Sequence, residues 1–324
     1  MSSTAISPLE GLDETGARLQ GRPEPAFRRL HDDLDISFEF FPPSGEQASA
    51  ALWNCMRALQ PLAPHFVSVT YGAGGTTQTR TLDAVRRIAT ETPVPVAGHL
   101  TCVGAPRASV DAVVEAYAEA GVKRVVALRG DAPKGAARFE PHPQGYQGAP
   151  ELVAAIARRG DFDISVGCYP EVHPDARGAQ ADLDHLKRKI DAGASRAISQ
   201  FFFDPEVFVR FVERARAAGI SVPIVPGIFP VHSFSGLKRF AAGCGANVPA
   251  WMHDLFEPLE QAPELRPLVA ATVCAELCTR LRDHGVREFH FYTLNRPELP
   301  AAVCHLLGRR ASGQQEAADQ AVNQ

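Results

Sequence analysis

The chain has 324 residues, 45% hydrophobic and 22% charged, with a formal charge of −4 from 33 basic and 37 acidic side chains. This composition belongs to a soluble globular protein and excludes a disordered chain, a fibre and a coiled coil. No basic block exceeds a few residues and no apolar run reaches ~18 residues, so neither a nucleic-acid partner nor a membrane partner is expected.

The first residues lack a basic segment followed by an apolar core, so no signal peptide is expected. The seven cysteines are odd in number and scattered, without a CxxC pair. They read as reduced thiols of a cytoplasmic protein rather than as disulfides or a zinc site.

Residues 1–24 are polar and aperiodic and read as a loose arm; residues 309–324 read as a loose tail. Between them, in 25–308, short β-branched runs alternate with helix-period segments. Strands are expected near 35–41, 65–70, 94–99, 124–128, 163–169, 196–201, 222–227 and 287–292. Helices are expected near 47–60, 78–91, 109–120, 150–158, 178–192, 205–218, 233–243, 263–284 and 297–307. Such alternation implies parallel βαβ units, and eight of them imply one closed (β/α)₈ barrel. An open doubly wound sheet is the competing architecture, but no GxGxxG turn follows an early strand. Two irregular stretches interrupt the pattern, a Pro- and Gly-rich loop at 130–148 and an insert at 244–262 that contains Trp251.

Barrel enzymes of this kind carry their sites at the C-terminal ends of the strands. Those ends carry Glu39, Thr70-Tyr71, His99-Leu100-Thr101, Arg129-Gly130-Asp131, Tyr169 to His173, Gln200, and Tyr292 to Arg296. Nearly every strand therefore delivers a polar group to one rim. Alternation puts Phe38 and Phe40 on the face opposite Glu39, so Glu39 points into the barrel. A carboxyl there is costly unless paired or protonated, and burial beside Phe41 would suit a general acid. Pairing with an Arg or Lys of the barrel interior is the alternative.

Asp131, after a glycine that permits close backbone approach, reads as a ligand contact or as a turn cap. His99 reads equally as a ligand contact or a packed core residue. Gly72 to Gly75 lacks the Lys-Ser/Thr of a nucleotide-triphosphate loop. Asp182, Arg188 and Lys189 lie on an amphipathic helix. They read as a solvated face with i,i+4 pairs, or as cations able to hold phosphate at the rim. No HxH, HExxH or GxSxG spacing occurs, so neither a metal nor a serine nucleophile is expected.

The segments Ser37 to Pro43 (SFEFFPP), Val67 to Ala73 (VSVTYGA), His99 to Cys102 (HLTC), Ala127 to Asp131 (ALRGD), Tyr169 to Pro174 (YPEVHP), Gln200 to Asp204 (QFFFD) and Phe291 to Arg296 (FYTLNR) together resemble the methylenetetrahydrofolate reductases. The likeness spans roughly 35–308 with the motifs in order, and it looks like the short bacterial form without a regulatory domain. It implies a (β/α)₈ barrel with non-covalent FAD. NADH or NADPH would reduce the flavin, leave, and be replaced by 5,10-methylenetetrahydrofolate, which becomes 5-methyltetrahydrofolate. A homo-oligomer is possible.

The resemblance also implies roles. Glu39 matches the general acid, and Asp131 an acidic residue near pterin and flavin. Thr70, Gln200, Phe240 and Arg296 match substrate contacts, together with Glu39 and Asp131. Thr70, Tyr71, Ala73, His99, Leu100, Thr101, Arg129, Gly130, Asp131, Tyr169, His173, Ala176, Asp182, Arg188 and Lys189 fall on FAD positions, with the cations on the diphosphate. Departures are His185, where the family often has Asn beside FAD, and Gly236, where some members have a substrate-binding Gln. The long 132–148 loop offers Tyr146 as its FAD-loop counterpart. The competing functions are a flavin-free barrel aldolase or folate-dependent transferase, which flavin absorbance would exclude, and a non-catalytic folate or flavin binder.

Overall fold

A computed structural model describes residues 34–72, 78–132 and 139–310. Strands β1 (Asp35–Phe40), β2 (Phe66–Val69), β3 (Val96–Thr101), β4 (Arg124–Leu128), β5 (Asp163–Cys168), β6 (Arg196–Ser199), β7 (Ile224–Val225), β8 (Gly227–Ile228) and β9 (Glu288–Tyr292) form one parallel sheet. Its order is β7-β6-β5-β4-β3-β2-β1-β9-β8. The ends of that order, β7 and β8, adjoin in sequence on either side of Pro226, so the sheet closes on itself.

The single strand expected at 222–227 is thus two short pieces. Ile224 and Val225 pair with β6, while Gly227 and Ile228 pair with β9. Proline has no N–H to give a ladder, which breaks the pairing there. The carbonyl of Pro226 still accepts from the His290 amide.

The helices are α1 (Glu46–Leu59), α2 (Gln78–Glu91), α3 (Arg107–Glu119), α4 (Ala149–Ala157), α5 (Ala179–Asp191), α6 (Pro205–Ala217), α7 (Phe234–Cys244), α8 (Ala250–Phe256), α9 (Arg266–Asp283) and α10 (Glu298–Leu306). Helix α8 and a 3₁₀ turn at Pro258–Gln261 lie in the insert expected to be irregular, so that expectation is corrected. Met252 and Phe256 anchor α8 in the core, the Phe256 ring stacking on Phe234.

Strand residues alternate between two environments. Phe38, Phe40, Leu100, Val125, Phe289 and Phe291 face the helices and are fully buried in the main core. Gly98 belongs to that outer face, where a Cβ would lie 2.2 Å from the Tyr117 ring of α3. Its absence lets Tyr117 reach over the strand and donate to the His99 carbonyl at 2.9 Å.

The inner face is filled differently along the axis. A small apolar cluster of Phe66, Ala97, Val126 and Ile198 occupies its middle. Beneath it Asp163 accepts from Arg124 and Arg196, and Arg196 also pairs with Glu288. This charge-paired plug closes the N-terminal end and leaves the opposite end for chemistry.

The domain boundary expected at residue 24 lies outside the described residues. At the other end Arg309, expected in the loose tail, donates to the carbonyls of Leu62 and Ala63. No helix among the described residues is long and apolar enough to cross a membrane.

Candidate active site

Glu39 sits on the inner face of β1, as the alternation requires. Its carboxylate Oε2 lies 3.4 Å from Nε2 of His99 on β3 and 3.6 Å from Nε2 of His290 on β9. The pairing with Arg or Lys weighed from the sequence is replaced by two imidazoles. Phe41, expected to bury Glu39, is itself 39% exposed, so Glu39 owes its surroundings to the histidines. Burial pushes the His99 imidazole down to about 4, against the opposing pull of Glu39, so this ring is neutral near pH 7. His99 Nε2 also meets Ser68 Oγ at 3.2 Å, and His290 Nδ1 meets Ser37 Oγ at 2.7 Å. Each ring is therefore tied from its own strand neighbourhood and offers an edge to the carboxylate.

By sequence His99 reads equally as a ligand contact or a packed core residue. It is buried, yet its ring belongs to the Glu39 group. His290 escaped the sequence reading altogether. Its signal was present, because Phe289-His290-Phe291 in β9 repeats the alternation of Phe38-Glu39-Phe40 in β1.

Around this centre the rim is assembled from strand ends. The Thr70 amide donates to the Phe40 carbonyl, and the Thr70 carbonyl accepts from Thr81 Oγ1. Thr101 shares the inner face with His99, and its Oγ1 is buried with no hydrogen-bond partner among the described residues. Burial pushes the hydroxyls of Tyr71 and Tyr169 up to about 12, the negative Asp131 adding to the effect on Tyr169. Asp131 itself is exposed. Gly130 has φ 86°, and a Cβ there would come within 2.4 Å of Val103. No other residue lets Arg129 and Asp131 flank so tight a turn.

The end of β5 and the start of α5 form a second group. Arg129 Nη2 donates to Asp175 at 2.7 Å, which holds that carboxyl below its usual range. The His173 amide donates to Asp182 Oδ2 at 3.0 Å, and the His173 ring packs edge-on against Tyr169 at 4.5 Å. The Ala176 amide closes this loop on the His173 carbonyl.

Arg188 and Lys189 do not share one solvated face, as a reading of adjacent rim cations expects. Arg188 is exposed, with Nη2 3.1 Å from His185 Nδ1. Lys189 is buried and donates Nζ to the Gly167 carbonyl. Burial lowers the Lys189 ammonium. Burial, then Lys189 and Arg188, push His185 down to about 4. Three basic side chains, Arg129, Arg188 and Lys189, thus converge on one corner of the rim, all three acting on His185.

The opposite side is aromatic. Gln200 follows β6 and accepts the Phe201 amide with its own Oε1. Phe240 on α7 is 47% exposed and packs on Phe229, which packs on Phe201. Arg296 is exposed just beyond β9, where its charge and burial together push His232 down to about 4, burial being the larger cause. Gly236 donates its amide to the Ser233 cap of α7 and brings no side chain.

Three expected residues stand apart from this assembly. Ala73 lies outside the described residues. Leu100 points into the helix-facing core, leaving only its main chain toward the rim. Tyr146 is buried under Arg107 with its hydroxyl on Asp111 at 2.6 Å, a tie to α3 rather than to the other site residues.

A family model described as methylenetetrahydrofolate reductase matches residues 27–308. The 5,10-methylenetetrahydrofolate reductase of Pectobacterium carotovorum subsp. carotovorum is 46% identical over 310 residues, 96% of this chain and 98% of its own. That of Escherichia coli (strain K12) is 43% identical over 310 residues, 96% and 99% of the two chains. Among solved structures, an uncharacterized protein from Clostridium thermocellum that binds two copies of 5-methyl-5,6,7,8-tetrahydrofolic acid has a TM-score of 0.57 at 14% identity. The alignment covers 85% of this chain and 93% of that one, and the likeness is one of fold.

Proposed function

The chain belongs to the methylenetetrahydrofolate reductase family, and from that premise we propose that it reduces 5,10-methylenetetrahydrofolate to 5-methyltetrahydrofolate at the barrel mouth. Electrons come from NADH or NADPH through bound FAD. The observation that carries this reading is the Glu39 carboxyl held at the mouth between two imidazoles.

The residues present fit a flavin nucleotide. Thr101 Oγ1 is a buried polar atom lacking a partner among the described residues, and a polar ring edge would supply one. Arg129, Arg188 and Lys189 are the cations for a diphosphate. His99, Tyr169, His173, Asp182 and His185 complete the lining. When bound, the flavin would supply hydride transfer between nicotinamide and folate.

The work of the chain itself is binding, orientation and one proton. Opening the imidazolidine ring of the substrate breaks the bond between N10 and the methylene carbon, and the electron pair goes to N10. Protonated Glu39 delivers the proton that N10 takes. The resulting iminium on N5 accepts a hydride at its carbon and becomes the N5-methyl group. His99, neutral near pH 7, places no positive charge of its own against the Glu39 carboxyl. Gln200 contacts the pterin, Phe240 packs on the substrate, and Arg296 meets the folate. Asp131 hydrogen-bonds the pterin.

Replacement of Glu39 by Gln separates the two halves of the reaction. Gln keeps size and polarity but donates no carboxylic proton. Flavin reduction by NADH in Glu39→Gln stays within about tenfold of wild type, while re-oxidation by methylenetetrahydrofolate falls by the ~10²–10⁴ that general acid catalysis contributes. Stopped-flow absorbance of the flavin reads each step. Equal slowing of both would make Glu39 a structural residue and overturn the mechanism.

A further inference from the structure

Where β1 and β9 reach the rim, their ladder is continued by a side chain. Strand pairing runs as far as Glu39 opposite Tyr292. Thr293 then donates its amide and its hydroxyl to the Glu39 carbonyl, at 3.2 and 2.7 Å. After that the chain turns away, with Leu294 at φ 51° and Asn295 at φ 57°. Two successive non-glycine residues in the left-handed region are rare, and asparagine is among the few types that tolerate it.

The Asn295 carboxamide takes the place of the peptide that has left. The Phe41 amide donates to Asn295 Oδ1 at 2.9 Å, and Asn295 Nδ2 donates to the Phe41 carbonyl at 3.1 Å. Phe41 is followed by Pro42 and Pro43, which have no N–H. The Phe41 amide is therefore the last main-chain donor of this strand end before the loop.

We propose that Asn295 is a positioning residue for the reduction, acting through Phe41 on Glu39. The proposal rests on the reading of Glu39 as the proton donor. Residues 39–41 are held at three main-chain groups, the Glu39 carbonyl by Thr293 and both polar groups of Phe41 by Asn295. Freed of the clamp, the strand end that carries Glu39 shifts relative to the imidazoles. Displacing a reacting group by about 1 Å costs on the order of 10² in rate. The step from nicotinamide takes no proton from Glu39, so the effect falls on the folate half-reaction alone.

Two variants of the flavin-loaded enzyme test this. Asn295→Gly keeps the left-handed turn, which glycine adopts freely, and removes both clamp bonds. Asn295→Asp keeps an acceptor for the Phe41 amide and loses the donor. Hydrogen exchange of the segment 39–41, read by mass spectrometry, reports the clamp without reference to activity. Stopped-flow absorbance reports the two half-reactions.

In Asn295→Gly, exchange at Phe41 rises and re-oxidation by methylenetetrahydrofolate falls by roughly ten- to a hundredfold. Reduction by NADH is unchanged, and Asn295→Asp falls between this variant and wild type. Unaltered Phe41 exchange in Asn295→Gly removes the clamp. Raised exchange with both half-reactions intact, or with both slowed alike, removes the positioning role. A wild-type flavin reduced by NADH but never re-oxidised by methylenetetrahydrofolate overturns the functional reading itself, and the positioning role falls with it.

Discussion

On the proposed FAD site, Asp131 is a rim charge that acts on the cofactor through its field. It is exposed beyond Gly130, and its charge reaches the half-buried Tyr169. A carboxylate next to a flavin disfavours the anionic reduced form by repulsion. Asp131→Asn accordingly raises the flavin midpoint potential. A rise of about 30 mV corresponds to a tenfold change for a two-electron couple. Redox titration of the variant measures it, and an unchanged or lower potential would place Asp131 away from the isoalloxazine. On the proposed placement of the substrate the same substitution also removes a pterin hydrogen bond and slows folate turnover.

At the scale of one element, α5 shows two adjacent cations with different duties. Its amphipathic pattern turns Lys189 inward with Leu186, while Arg188 faces solvent. Arg188→Ala leaves stability within about ±0.5 kcal/mol, as exposed substitutions do, and, on the proposed FAD site, weakens FAD binding by removing a diphosphate partner. Lys189→Ala also weakens FAD binding. In addition it strips the Gly167 carbonyl of its donor and lowers stability by about 1–3 kcal/mol. Urea unfolding and FAD titration of the two single variants separate these effects. Equal stability loss in both would contradict the buried placement of Lys189.

The whole molecule carries a pH dependence built from histidines kept neutral by burial. His99, His185 and His232 are each pushed down to about 4 from an ordinary value of 6.5. In the unfolded chain each takes a proton near 6.5; in the folded chain each resists until about 4. The unfolded state thus binds more protons across that window, and stability falls as pH drops through it. Above it the curve is flat with respect to these groups. His99, fully enclosed in the barrel, contributes up to about 1.4 kcal/mol per pH unit, and the two partly exposed rings contribute less. Thermal midpoints at pH 7.5, 6 and 5 check the slope. A midpoint constant over that range, or a slope unaltered in His99→Asn, would refute it.

Much of the architecture was legible in the residues because it depends on local periodicity. Alternating strand and helix patterns repeated around the chain gave the closed barrel, and period-two alternation alone turned Glu39 inward between Phe38 and Phe40. The rim residues followed, since parallel strands all end on the same side. The break at Pro226 could also have been found from the missing N–H.

What the pattern could not supply was partnership across strands. That Glu39 meets His99 and His290, rather than an Arg or Lys, depends on the β1–β3 and β1–β9 juxtaposition made by barrel closure. That Lys189 is buried while Arg188 is not depends on how α5 rolls against β5. That Tyr146 spends its hydroxyl on Asp111, and that Asn295 extends a ladder to Phe41, 254 positions away in sequence, are likewise contacts between distant segments. Local sequence sets which face a side chain takes; only closing the ring decides what stands opposite it.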